Sequence, residues 1–395
     1  MIRCLLLLLP VVCLAQDFTH RGFLETGSWF YPQTARGDSG RAIGESLLRY
    51  EAFYKAAPSL RFSAGFDART DTHRQVERDV GFSFLDRNRR RPAFAVRRAS
   101  ASYHTGPLSI EIGKQFIRWG KTDILNPTDR FAPRDFLNVV DNDFLAVTAA
   151  RLTYGSQSGT LDLVWAPLFT PSRTPLLNQR WVVLPPDVRI QELDPRLPGG
   201  PQFGARWSHI GRIEYSLSFY EGFNHLPLID ARAFEVQRFH PQMRMYGADA
   251  AVPLPQFTLK GEAAYFTSST RQADHYLLYV VQLERQVGEW FFVGGYAGEK
   301  VTARRSQLDF APDRGLTRAF LGRAAYTIDS SRSVAFDAAV RQNGHGVWTG
   351  FEYSQAFGSH WRATLGFTLI RGRRDDFLGQ FRRNSHASFA LRYSF

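Results

Sequence analysis

Apolar and polar residues alternate with a period of two along most of this chain, which is the spacing of β-strands that bury one face and wet the other. In Ser59 to Arg69 the apolar set is Leu60, Phe62, Ala64, Phe66 and Ala68, opposed by Arg61, Ser63, Gly65, Asp67 and Arg69. Phe257 to Phe266, Arg212 to Tyr220 and Trp361 to Arg371 repeat the scheme. Eighteen segments follow it: Gly22 to Tyr31, Glu45 to Ala56, Ser59 to Arg69, Ala93 to Thr105, Leu108 to Ile117, Phe144 to Tyr154, Gly159 to Ala166, Phe203 to His209, Arg212 to Tyr220, Met243 to Val252, Phe257 to Phe266, His275 to Glu284, Trp290 to Gly298, Thr317 to Ile328, Ser333 to Gln342, Gly346 to Ser354, Trp361 to Arg371 and His386 to Phe395. The faces of Ala93 to Thr105 and Trp290 to Gly298 are ambiguous.

The connections carry independent information. Those after even-numbered segments are short, such as Ala57 and Pro58, Gly106 and Pro107, or Ile210 and Gly211, while those after odd-numbered segments are mostly long. Short turns on one rim and long loops on the other predict an all-β fold: a single transmembrane antiparallel up-and-down β-barrel of about 18 strands, with 16 as the alternative, both termini on the short-turn side. After the N-terminal segment no stretch approaches the roughly 20 apolar residues of a membrane-spanning helix, so a crossing of the bilayer falls to strands. A soluble sandwich explains the alternation equally well, but not one face so consistently Leu, Phe, Tyr, Trp and Ala.

At the N-terminus, Arg3 precedes an apolar run from Cys4 to Leu14, with small residues at Cys13 and Ala15. This predicts a secretory signal peptide over residues 1–15 and a barrel over 16–395. Both cysteines, Cys4 and Cys13, lie in the leader, so the mature chain is expected to lack thiols and disulfides. A hydrophobic share of 44% is ordinary, whereas 14% aromatic residues, 32 glycines and three Met favour strands and turns. The net charge of +12 points, with a secretory address, to lipopolysaccharide or anionic solutes rather than nucleic acid.

At the other end, Phe389, Leu391, Tyr393 and Phe395 share one face of the last strand. This aromatic terminus resembles the assembly signal of Gram-negative outer-membrane β-barrels. The resemblance implies integral insertion in that membrane, with outer-membrane lipid and lipopolysaccharide as surroundings and the barrel-assembly machinery reading the C-terminal strand.

A barrel of this size is too wide for its side chains to fill. The inward set is then Arg49, Glu51, Arg61, Asp67, Arg69, Arg151, Asp162, Arg206, Glu214, Asp249, Lys260, Glu262, Arg323, Asp337, Arg341, Glu352, Arg362 and Arg392. Taken singly, each suits a cross-strand ion pair; together they describe a hydrated, weakly anion-preferring lumen. The long connection after the fifth segment, from Arg118 to Asp143, holds Arg118, Lys121, Asp123, Asp129, Arg130, Arg134 and Asp135. As the third long loop it is a candidate constriction, or else a solvated surface loop.

Gly113, Lys114, Gln115, Arg118, Trp119 and Gly120, followed by Asp123, Asn126, Pro127 and Asp129, resemble the Gly-Lys-Gln, Trp-Gly, Asn-Pro-x-Asp pattern of porin-like outer-membrane proteins. That resemblance implies a pore or an exporter-associated barrel; together with the wide lumen, the expectation is a channel for passive diffusion of small hydrophilic solutes and not an enzyme. A surface-binding or adhesin role is the alternative. A hydrolase is the weaker one, because no Gly-x-Ser-x-Gly elbow or His-Glu-x-x-His pair appears. No metal site and no cofactor is expected, and no nucleic-acid module stands out.

Overall fold

Each β-strand must find hydrogen-bond partners for both of its edges, and this chain finds all of them by closing on itself. The computed structural model describes residues 17–35, 37–182, 190–232, 235–305 and 311–395. The expected signal peptide, with Cys4, Cys13 and the cleavage position, lies outside the described residues.

Eighteen antiparallel strands form the wall: β1 (Phe18–Phe30), β2 (Ala42–Ala57), β3 (Leu60–Asp71), β4 (Phe94–Thr105), β5 (Leu108–Gln115), β6 (Val147–Gly155), β7 (Gly159–Ala166), β8 (Gln202–His209), β9 (Glu214–Phe223), β10 (Gln242–Pro253), β11 (Thr258–Thr267), β12 (His275–Val287), β13 (Trp290–Ala303), β14 (Ala319–Thr327), β15 (Arg332–Arg341), β16 (Gly346–Phe357), β17 (Trp361–Gly372) and β18 (His386–Ser394). Every strand pairs with its sequence neighbour, and β1 pairs with β18 from Phe23↔Ser394 to Phe30↔Ala387. Phe395 completes the seam by exchanging backbone hydrogen bonds with Gly22, at 2.9 and 3.0 Å. Closure leaves no unpaired edge.

The period-two pattern sorts as predicted. Phe62, Leu217, Phe320, Phe336, Leu365, Phe367 and Phe389 are exposed on the outside, while Ser63, Asp67, Ser216, Asp249 and Glu262 are buried on the inside. The two ambiguous segments have identifiable causes. A register shift where β3 meets β4, between Gly65 and Phe66, interrupts the alternation around Arg97 and Arg98. In β13 the outward positions include Gly294 and Gly298, so the pattern loses contrast.

Strand limits move outward by several residues in β1, β2 and β13, because cross-strand bonds continue past the last apolar position. The loops also hold structure that the patterning did not predict. Residues 191–192 pair with Glu235–Phe239, which pairs with Leu228–Arg232, so a short strand forms within the connection between β7 and β8. Pairing of Arg134–Asp135 with Asp143–Phe144 folds the third long loop back on itself.

Candidate functional site

The segment after β5 does not leave the barrel. Gly113 has φ +122°, and a Cβ there would stand 2.2 Å from the Ala99 carbonyl oxygen, so only glycine lets β5 turn inward at this point. Gln115 then donates its amide to the Ala149 carbonyl at 3.0 Å, and the chain descends along the inner wall. Trp119 donates its indole N–H to Asp162 at 3.0 Å and meets Phe131 edge-on at 5.3 Å. Phe131 in turn meets Tyr220 at 5.1 Å.

Glu262 on β11 is the anchor of this arm. One carboxylate oxygen accepts the backbone N–H groups of Lys121 (3.0 Å) and Thr122 (3.3 Å) and the Thr122 hydroxyl (2.8 Å). The other accepts the N–H and the hydroxyl of Thr128, both at 2.8 Å. Gly120, at φ +95°, brings the backbone so near that a Cβ would lie 2.7 Å from both carboxylate oxygens. Lower in the barrel, Lys121 pairs with Glu214 at 2.5 Å and Asp123 with Lys260 at 2.9 Å. The Gln282 side chain accepts from the Asp123 N–H at 2.9 Å. The Gly-Lys-Gln, Trp-Gly, Asn-Pro-x-Asp residues are thus the parts that carry the loop inside.

Around this arm the inner faces of β6 to β12 are apolar where they meet it: Val147, Ala149, Val164, Met243, Met245, Ala264, Phe266, Tyr276 and Leu278 form one buried cluster with Ile117, Trp119 and Phe131. Ion pairs Arg151–Asp162 (2.6 Å) and Arg206–Asp249 (3.0 Å) lie on the same side.

The inner wall opposite is wetted. Arg362, Arg323 and Glu352 are exposed. Arg323 pairs with Asp337 at 2.9 Å, Arg392 with Glu25 at 2.6 Å and Arg21 with Glu51 at 2.7 Å. Arg362 reaches only the Ser354 hydroxyl, at 3.0 Å, among the described residues. Arg61 is exposed in the inward register near the short-turn rim, and Arg341 is held under the mouth by Asp376 at 3.0 Å. The eighteen inward residues share one face of the wall but meet different surroundings: Asp162, Asp249 and Glu262 are buried on β7, β10 and β11, Asp67 is buried beside Arg49 and Arg69 at the long-loop rim, and Arg61, Arg323, Glu352 and Arg362 are exposed.

At the long-loop rim a buried ionic lattice ties three loops to the wall. Lys114 holds Asp86 (2.5 Å), Arg173 bridges Asp86 (2.8 Å) and Asp135 (3.1 Å), and Arg91 bridges Asp135 (2.9 Å) and Glu45 (2.8 Å). Asp143 joins Arg49 (3.0 Å) and Arg97 (2.9 Å), and Arg49 also holds Asp67 at 2.8 Å beside Arg69. Burial opposes ionisation of Asp143, but Arg97 and Arg49 overcome it and hold its carboxyl down to about 2. Burial of Asp135 is likewise outweighed by Arg91 and Arg173, so its carboxyl titrates below the ordinary range.

Of the other residues assigned to the constriction, Arg118 pairs with Asp129 at 3.0 Å and lies 3.8 Å over the Phe144 ring, with Arg134 on the same ring at 4.4 Å. Arg130 stacks on Phe266 at 5.1 Å. A cavity of about 190 Å³ opens between the arms of the loop, lined by Leu125, Asn126, Phe136, Val139, Met243, Pro312 and Leu316. The alternation rule did not find Glu45, Asp86, Arg91, Arg97 and Arg173. Arginines after β3 and carboxylates in the third loop are visible in the sequence, but nothing there assigns their partners.

With this geometry in view, the comparisons with known proteins are informative about shape alone. No family model and no curated protein matches the sequence. The crystal structure of OccAB4 from Acinetobacter baumannii superposes with a TM-score of 0.55 at 10% identity, covering 96% of this chain and 98% of that one. The two share a fold. A variant of Rhodopseudomonas blastica porin aligns over 96% of this chain and 100% of its own, at 11% identity and a TM-score of 0.48.

Proposed function

We propose that this chain is an outer-membrane, porin-like channel for passive diffusion of small hydrophilic solutes, made after removal of a leader over residues 1–15. The observation that carries this reading is the division of the lumen. The inner faces of β6 to β12 are packed with a loop fixed by Glu262, whereas Arg323, Glu352 and Arg362 on the opposite wall are in contact with solvent. A loop that fills half of an otherwise hydrated barrel narrows a passage without sealing it.

An apolar exterior and a charged interior favour a bilayer around the wall and water within it. Phe389, Leu391 and Tyr393 face outward on β18 and the exposed Phe395 follows it, the arrangement that a C-terminal assembly signal needs. No enzymatic step is required of any residue. Arg61 and Arg362 have no carboxylate partner among the described residues, against Glu352 alone on the solvated wall, which supports a weak preference for anions. Reconstitution of the refolded barrel in a planar bilayer tests the reading, and a reversal potential of cationic sign at neutral pH would contradict the preference.

A further inference from the structure

We propose that the outer surface of β13 to β15 carries a binding site for the phosphate of a lipid A-type glycolipid, formed by Lys300 and Arg318. The inference rests on the outer-membrane reading above. It starts from register. Leu277, which faces outward between the buried positions Tyr276 and Leu278, is opposite Lys300, so Lys300 faces outward too. Arg318 is exposed and stands immediately before Ala319, the buried first residue of β14, two positions from the outward Phe320, which is 56% exposed.

The ladder between β13 and β14 ends at Ala297 and Ala319, so the backbone of residue 318 leaves it next to Gly298, two residues along β13 from Lys300. The two cations are therefore diagonal neighbours on adjacent strands, a separation that one phosphate or a pair on one headgroup can span. Both are exposed, and neither is ion-paired among the described residues. Arg318 stands at φ +53°, a left-handed conformation that costs an arginine more than it would a glycine. Its carbonyl accepts the Gln342 N–H at 2.8 Å, and Gln342 accepts the Tyr296 hydroxyl at 2.7 Å.

Directly beneath lies an aromatic band. Tyr279 and Tyr296 are 6.2 Å apart, and Tyr296 and Phe320 are 5.2 Å apart. Aromatic rings at that level mark the boundary between hydrocarbon and headgroups. Cations immediately above such a band, at the long-loop end, meet the phosphates of the outer leaflet. Arg244 on β10 supplies the contrast, since Glu221 neutralises it at 2.7 Å.

The test uses the full barrel in detergent, incubated with bis-phosphorylated lipid A and read by native mass spectrometry. The wild-type barrel should retain lipid A at least tenfold better than the Lys300→Gln/Arg318→Gln double variant. It should also prefer bis-phosphorylated to dephosphorylated lipid A, and Arg244→Gln should behave as wild type. Equal retention by the double variant, equal retention of the dephosphorylated lipid, displacement by phosphatidylglycerol at equal concentration, or an equal loss in Arg244→Gln would each overturn the proposal. Heat-modifiable mobility on gels verifies that each variant is folded. Single-channel conductance of the double variant should equal wild type, so a failure of lipid recognition and a failure of the channel reading are separately visible.

Discussion

Replacing Glu262 by alanine should free the arm that we propose narrows the lumen. The carboxylate accepts three backbone N–H groups and two hydroxyls from Lys121, Thr122 and Thr128. The hydroxyls have other recourse, since Thr122 already reaches the Leu125 carbonyl at 2.6 Å. The three N–H groups do not, and each buried donor left without an acceptor costs about 1–3 kcal/mol. The loss in docking is then roughly 3–9 kcal/mol, with the upper end discounted because the bonds act as one unit. Trp119 and Phe131 still pin the ends of the arm, so residues 120–128 should swing as a tethered flap while the barrel remains closed. Glu262→Gln keeps the volume but turns an amide N–H₂ toward backbone donors, and should be nearly as damaging. In a planar bilayer both variants should show larger unit conductance and more current noise than wild type. Arg244→Gln, on the outer surface and remote from the loop, should show neither. A folded Glu262→Ala barrel with wild-type conductance and noise would refute the anchoring argument.

Other outcomes follow from the same geometry. Gly120→Ala places a Cβ 2.7 Å from the Glu262 oxygens at φ +95°, and should raise conductance as Glu262→Ala does; a wild-type trace would contradict this. Trp119→Ala removes a buried ring and its bond to Asp162, and should cost about 3–5 kcal/mol of stability, read as a lower denaturant midpoint and faster proteolysis of the loop. Asp143 and Asp135 titrate below the unfolded value of about 3.9. Their contribution is therefore complete above about pH 4 and lost as pH falls toward about 2. Hydrogen exchange of residues 134–144, corrected for intrinsic rate, should hold constant from pH 7 to about pH 5 and accelerate only below about pH 4; loss of protection near pH 6 would contradict the lattice.

Strand number, order and facing were legible because a wall between two solvents leaves its mark on every second residue. Leu60 to Ala68 and Ile213 to Phe219 each lie on the outward face that alternation assigned them. Short connections such as Gly106 and Pro107 fixed which rim carries the turns. The division of the lumen was harder to read, since an inward charge looks the same in sequence whether water or a loop covers it. Asp162 and Arg362 are equivalent in pattern, yet one is hidden against Trp119 and the other solvated. A trace was present: His275 to Glu284 is apolar on both faces through Tyr276, Leu278 and Val280, the signature of a strand covered on each side. The ionic lattice was illegible for another reason. Asp86, Asp135 and Arg173 come from three loops whose approach depends on the third loop entering first.

The most direct measurement is the current through single refolded barrels in a planar bilayer. A half-filled, hydrated lumen predicts stable ohmic steps that a small hydrophilic solute can block. Correctly folded barrels that insert and pass no current would contradict it.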